Sequence, residues 1–187
     1  MEDIRIAYAT RLADNVLVLA QRMVERVAAD PELEEELANA NFALDYIGQA
    51  RMLYSYAGKL EGKGRDEDDF AYSRDEREFQ NLLLLEQPNG HFGDAVVRLF
   101  LFDAFHLRVL EALQNCDDEG LAEIASRGAK EVTYHLKHSS RWLTRLGDGT
   151  AISHERVQAS LNRAWRFTGE MFEVDALDDA FKREYNG

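Results

Sequence analysis

The sequence predicts an all-α protein built as a bundle of long helices. Three observations carry that expectation. Apolar residues recur at alternating steps of four and three over stretches of many helical turns, whereas the period-two alternation of a strand is scarce. Only two prolines, Pro31 and Pro88, interrupt the 187 residues, and each falls between such stretches. Asn89-Gly90 follows Pro88 and leads into a helical seam, so it does not join two strands. Residues 1–187 are expected to form one domain, since a chain of this length, 45% apolar, can bury a substantial core.

The first helix is expected from Ile4 to Ala29, with Tyr8, Leu12, Asn15, Leu19 and Met23 along its inner face. Asp30-Pro31 ends it, because the residue before a proline disfavours the helical region. A second helix follows from Glu32 to Leu60. Glu32, Glu34, Glu35 and Glu36 crowd its start, where the helix dipole favours negative charge. Its middle, Phe42 to Tyr56, is apolar on more than one side, and the polar row Asn41, Asp45 and Gln49 runs through it. A helix apolar nearly all round is buried, so that row is expected to be buried too.

Gly62 to Asp69 is expected to be a solvated loop, and Ser73 to Gln87 a short crossover helix stopped at Pro88-Asn89-Gly90. The central helix then runs from Phe92 to about Gln114. Its seam is Phe92, Val96, Leu99, Asp103, His106, Leu110 and Leu113. The next helix spans Asp118 to Leu146, stopped by Gly147 and Gly149, with the seam Leu121, Ala125, Gly128, Val132, His135, Ser139, Trp142 and Leu146. Ser153 is a candidate cap for an additional C-terminal helix running to about Phe172. The tail from Glu173 to Gly187 is acidic and weakly patterned. Short links make antiparallel hairpins of helices one with two and three with four. The long crossover between two and three, with its own short helix, suits a ferritin-like four-helix bundle.

Composition excludes several function classes. The net charge of −13 argues against nucleic acid and anionic membrane as partners. A single cysteine, Cys116, allows no intrachain disulfide, and neither a secretory leader nor a bilayer-length apolar stretch is seen, so a cytoplasmic chain is expected.

Asp103 and His106 lie three apart on one face, at core positions of the central helix. A charge placed there needs a partner or a metal. Glu131 and His135 repeat the situation on the following helix, with His138 at its flank, while helix two offers Asp45 and Gln49 and helix one Asn15 beside Asp14. A di-iron carboxylate bundle takes one Glu from each of two helices and Glu-x-x-His from each of the other two. Here no Glu-x-x-His occurs. Asp103-x-x-His106 is nearest, Val132 stands three before His135, and Tyr46 three before Gln49. Internal salt bridges Asp103–His106 and Glu131–His135 are therefore the favoured reading, with metal ligation the alternative. His91 and His154 are expected at the surface without a role. Cys116 lacks a nearby histidine to activate it, and Lys63 in Gly-Lys-Gly is too short a motif for a phosphate loop.

Several stretches also carry a family likeness: Leu12–Arg22, Ala40–Arg51, Gly64–Gly90 with its EQPNG and RDEDD runs, Arg98–His106, and Lys130–Thr150 with RLGDGT. Together and in this order they resemble the C subunit of bacterial phenylacetyl-CoA epoxidase, over most of Asp3 to Phe172. The resemblance implies a ferritin-like subunit without its own chemistry, in a complex that epoxidises the activated ring during aerobic phenylacetate breakdown. It implies a homologous A subunit as partner, which holds the di-iron site and binds phenylacetyl-CoA. The A subunit's Glu-x-x-His positions then fall on Tyr46/Gln49 and Val132/His135, where only His135 survives as a ligand. Chains of that family usually continue by a further helical segment, which implies a truncation at Gly187.

The expectation is thus a structural subunit with no catalytic, cofactor-binding or metal residue and no cofactor of its own. Asp45, Gln49, Asp103, His106, Glu131 and His135 form a vestigial polar cluster, with the last four bonded to one another. Helices one and two supply the partner surface, with Leu37, Leu44, Ile47 and Tyr54 facing away from the Asp45/Gln49 row. Without its partner the chain is expected to self-associate. The rivals are an active but degenerate di-metal oxygenase or iron oxidase, and a homo-oligomeric bundle with no partner.

Overall fold

Helix-forming periods dominate the chain, and the computed structural model, which describes residues 3–186, follows them. Among the described residues there are eight α-helices, two 3₁₀ turns and no strand. Four long helices form the bundle: α1 (Ile4–Val24), α2 (Leu33–Glu61), α5 (Phe92–Leu113) and α6 (Glu119–Gly147). Between α2 and α5 lie α3 (Glu67–Tyr72) and the single turn α4 (Leu83–Glu86). After α6 come α7 (Ala151–Trp165) and α8 (Ala176–Tyr185). α1 packs along α2 and α5 along α6, which their short links make antiparallel. Val16, Leu19, Tyr46, Phe102 and Val132 lie in one buried core between them. This is the ferritin-like arrangement expected.

Helix ends follow local chemistry. Asp3 accepts from the Arg5 amide at the start of α1, and Asp118 from the Leu121 amide at the start of α6. Gly62 closes α2 with φ of 67°, a left-handed conformation that glycine adopts without strain. α1 stops at Val24 rather than Ala29. There Asn39 Nδ2 donates to the Met23 carbonyl at 2.7 Å, and Arg26 turns inward to Asp30 and the Gly90 carbonyl. Asn39 thereby satisfies a carbonyl at the helix end, and Arg26 ties the chain beyond it to the 89–90 turn.

The crossover departs most from expectation. α3 forms where a loop was expected, its first turn closed by a reciprocal capping box between Asp66 and Asp69. Much of 73–82 is extended rather than helical. The reason lies on α1, where Asp14 accepts from the Gln80 amide and Asn15 from the Leu82 amide, both at 2.8 Å. With backbone donors taken by α1, the segment has less need of its own helix. Arg74 clamps it further, bonding both carboxylate oxygens of buried Asp14, whose Oδ1 also accepts from Tyr54.

At the C-terminal side Thr150, not Ser153, caps α7, and α7 ends at Trp165 instead of Phe172. The weakly patterned tail contains α8. Asp175 caps it, and Phe181 stacks on Tyr8 with ring centroids 3.9 Å apart. Leu177, Phe181 and Tyr185 recur at i, i+4 and i+8 and pack on the core, a short period that reading the tail as weakly patterned overlooked.

Candidate functional site

Three helices send i, i+3 pairs into the middle of the bundle: Tyr46 and Gln49 from α2, Asp103 and His106 from α5, Val132 and His135 from α6. All six are nearly or fully buried. Gly128 on α6 makes room for one of them: a Cβ there would come within 3.2 Å of the Gln49 amide.

The expected pairs along single helices do not form. Asp103 Oδ1 accepts from the Tyr46 hydroxyl, while Oδ2 has no partner. Burial holds the Asp103 pKa well above the carboxylate range, against the smaller opposing pull of the Tyr46 bond. Burial thus favours the protonated form of Asp103. Burial first, and the neighbouring Asp103 second, also keep the Tyr46 phenol protonated.

His106 bonds Gln49, not Asp103: its Nε2 lies 3.1 Å from Gln49 Oε1. Gln49 Nε2 donates to Glu131 Oε2 at 2.9 Å. A carboxylate only accepts, so the amide nitrogen faces Glu131 and its oxygen faces His106, which places the His106 proton on Nε2. Burial, with a smaller push from His135, takes the His106 pKa down to about 3, so the ring is neutral. It stacks on Phe102 at 4.9 Å.

His135 turns away from Glu131 toward α2. Its Nε2 meets Asp45 Oδ2 at 3.0 Å and its Nδ1 is unpartnered. Burial lowers its pKa against the opposing pull of Asp45. Glu131 sits at the rim, its pKa raised by burial, with Arg127 at 3.7 Å. One turn on, His138 bonds Glu35 at 3.0 Å.

The four residues expected to bond one another, Asp103, His106, Glu131 and His135, are thus joined through α2 instead. The polar row on α2 is also not buried as expected: Asn41 is exposed, Asp45 half-exposed, and Gln49 alone is buried. Tyr46 and Asp14 are the residues whose importance the pattern missed. The signal for Tyr46 was its i, i+3 spacing to Gln49. For Asp14 there was none beyond an acid beside an inner Asn15.

As a di-metal centre the donor set does not fit. Val132 supplies no ligand, the Tyr46 phenol is engaged by Asp103, and the Nε2 atoms of His106 and His135 point at Gln49 and Asp45. Among the described residues no three His, Cys, Asp or Glu side chains converge as a metal site would require. Elsewhere, His91 is not idle, since its Nδ1 caps α5 by accepting from the Gly93 amide. His154 Nδ1 lies 2.8 Å from the Gly147 carbonyl. Cys116 is buried, which raises its thiol pKa, and Lys63 pairs with Glu61. No helix among the described residues is long and apolar enough to cross a membrane.

A family model described as phenylacetic acid catabolic protein matches residues 2–187. The chain is also similar to a protein of Escherichia coli (strain K12) described as the C subunit of 1,2-phenylacetyl-CoA epoxidase. The two are 49% identical over 178 residues, covering 95% of this chain and 71% of that protein.

Proposed function

The chain belongs to the phenylacetic acid catabolic protein family, and on that footing we propose that it is a structural subunit of a multicomponent phenylacetyl-CoA epoxidase. On this reading it performs no chemistry of its own. It pairs in the cytoplasm with a homologous subunit that carries the di-iron site, oxygen activation and the substrate pocket.

The observation that carries this reading is what stands at the interior positions 46, 49, 132 and 135. A phenol, an amide and an isopropyl group occupy three of them, and the fourth, His135, is committed to Asp45. A cross-bonded interior stiffens a bundle and offers little to a metal. The surface supports the same reading. Leu33, Leu37, Leu44 and Ile47 stand exposed along α2, a second seam directed at solvent, with half-buried Ala40 between them. Tyr54, expected in that surface, is buried instead beneath Phe70 and against Asp14.

Co-expression with the di-iron subunit tests the proposal, with elemental analysis and single-subunit turnover as readouts. A stable complex is expected, with no stoichiometric iron, manganese or zinc in this chain alone and no epoxidation by it even with a reductase present. Separate elution at micromolar concentration, or turnover by the chain alone, overturns it. The rival reading, a degenerate di-metal oxidase, draws on the unpartnered Asp103 Oδ2 and His135 Nδ1. Two metals per purified chain would establish that reading instead.

A further inference from the structure

Away from the polar cluster, a cleft of about 440 Å³ opens between the 84–90 turn, the start of α5 and the end of α7. Three guanidiniums line it, Arg98, Arg163 and Arg166, against one carboxylate, Asp94. In a chain of net charge −13 this inverts the average surface. Asp94 is already engaged, Oδ1 by Arg163 and Oδ2 by the His91 amide at 3.0 Å.

Arg98 is the informative residue. It is only 4% exposed. Its Nη1 donates to the Gln87 carbonyl at 2.6 Å and its Nη2 to Asn89 Oδ1, while Nε has no partner. Its hydrogen-bond partners are neutral oxygens. Burial, with Arg22 and Arg26 nearby, pulls its pKa down to about 10. A buried cation is normally balanced by a bonded anion; Glu25 and Asp94 act on Arg98 only through space, and neither bonds it. Arg166 is exposed beside it and packs on Phe167, 5.0 Å from the ring centroid. Leu84, Pro88 and Phe167 give the cleft an apolar wall.

We propose that this cleft binds a small organic anion. The anion's carboxylate is held by Arg163 and Arg166, with the buried charge of Arg98 behind them, and its apolar body rests on Leu84, Pro88 and Phe167. Guanidinium forks match carboxylate geometry, and a site with one charged end and one apolar wall selects an amphipathic acid over a bare ion.

Isothermal titration of the purified chain at constant ionic strength tests this with benzoate, acetate, benzyl alcohol and inorganic phosphate. Benzoate is expected to bind saturably, and the other three at least about tenfold more weakly, because each lacks either the charge or the apolar body. Arg163→Ala and Arg166→Ala should both keep the parent's helical circular dichroism; Arg166→Ala should keep its melting temperature, and Arg163→Ala, which releases Asp94 from one surface ion pair, should lower it only slightly. Each should weaken benzoate by about tenfold. No saturable heat with benzoate, equal binding of acetate or phosphate, or undiminished binding in the double variant Arg163→Ala/Arg166→Ala would overturn the proposal.

Discussion

Tyr46 and Asp103, 57 positions apart, meet between α2 and α5 as a buried phenol–carboxylic acid pair. The acid's partner comes from another helix, not from His106 one turn away. Removing one member strands the other in a dry interior, at a cost of about 1–3 kcal/mol. Asp103→Leu and Tyr46→Phe should therefore each destabilise the protein. The double change, which leaves no orphan, should recover much of the loss. Urea unfolding of the four proteins measures the coupling. Strictly additive losses would refute the pairing, as would equal rescue of Asp103→Leu by changing His106.

Asp103 also makes stability depend on pH. Its ordinary value is 3.8 and its folded value lies well above. The folded state therefore binds the extra proton. The contribution is fully present below about pH 3.8 and is lost as pH rises through the folded pKa. Asp103→Asn keeps an acceptor for Tyr46 and never ionises. The parent should lose more stability than this variant on going from mildly acidic to alkaline pH. Parallel melting curves across that range would expose the opposite trend.

His106 acts at the other end. Its pKa is lowered from 6.5 to about 3, so the unfolded state binds the extra proton between those values. Stability is present above pH 6.5 and falls as pH drops toward 3, by on the order of 1 kcal/mol per pH unit while the shift holds. His106→Gln retains a donor for Gln49 without titrating and should flatten much of that acid limb. His135, also lowered by burial, should leave a remnant. An unchanged acid limb in His106→Gln would mean that the buried ring is not the titrating group.

How much of this was legible in the sequence depends on what each residue answers to. The seam through Asp103 and His106 was legible because core periodicity is local to one helix. The partners were not, because they depend on how α2 is rotated against α5 and α6. Asn41, Asp45 and Gln49 look like one stripe, but each four-residue step drifts by about 40° around the helix. The inner stripe is instead Phe42, Tyr46, Gln49 and Leu53, and Asn41 swings out to solvent. Heptad spacing likewise aligns Tyr54 with the outward Ile47, yet α3 folds over that end of α2 and buries it. The crossover was illegible for a similar reason, since its backbone is held by Asp14 and Asn15 from the distant α1.

That tether can be cut. Asp14 is fully buried and joins Arg74, Tyr54 and the Gln80 amide. Asp14→Ala leaves Arg74 without its carboxylate, and breaking a buried ion pair from one side costs about 3–5 kcal/mol. The loss should appear locally first. Amides of 73–82 should exchange faster with deuterium, while those of α5 and α6 keep their order of protection. Uniform loss of protection throughout the bundle would contradict a tether specific to the crossover.

The outward seam of α2 gives the sharpest test of the assembly. Leu37 and Leu44 are 57% and 65% exposed, so replacing them removes little buried surface. Leu37→Glu and Leu44→Glu should change the stability of the isolated chain by no more than about 0.5 kcal/mol. In a complex the same side chains would lie within an interface on the order of 2,000 Å², and a central residue there can carry about 2 kcal/mol or more. Burying an unpaired glutamate adds a desolvation cost on top. The double variant should therefore melt like the parent, fail to co-purify with the di-iron subunit, and lose self-association in its absence. Ile152→Glu on α7 provides the control, because Ile152 is equally exposed, at 64%, but lies off the seam. It should leave the complex intact. A complex that survives both changes on α2, or that fails equally with Ile152→Glu, would place the partner elsewhere on the bundle.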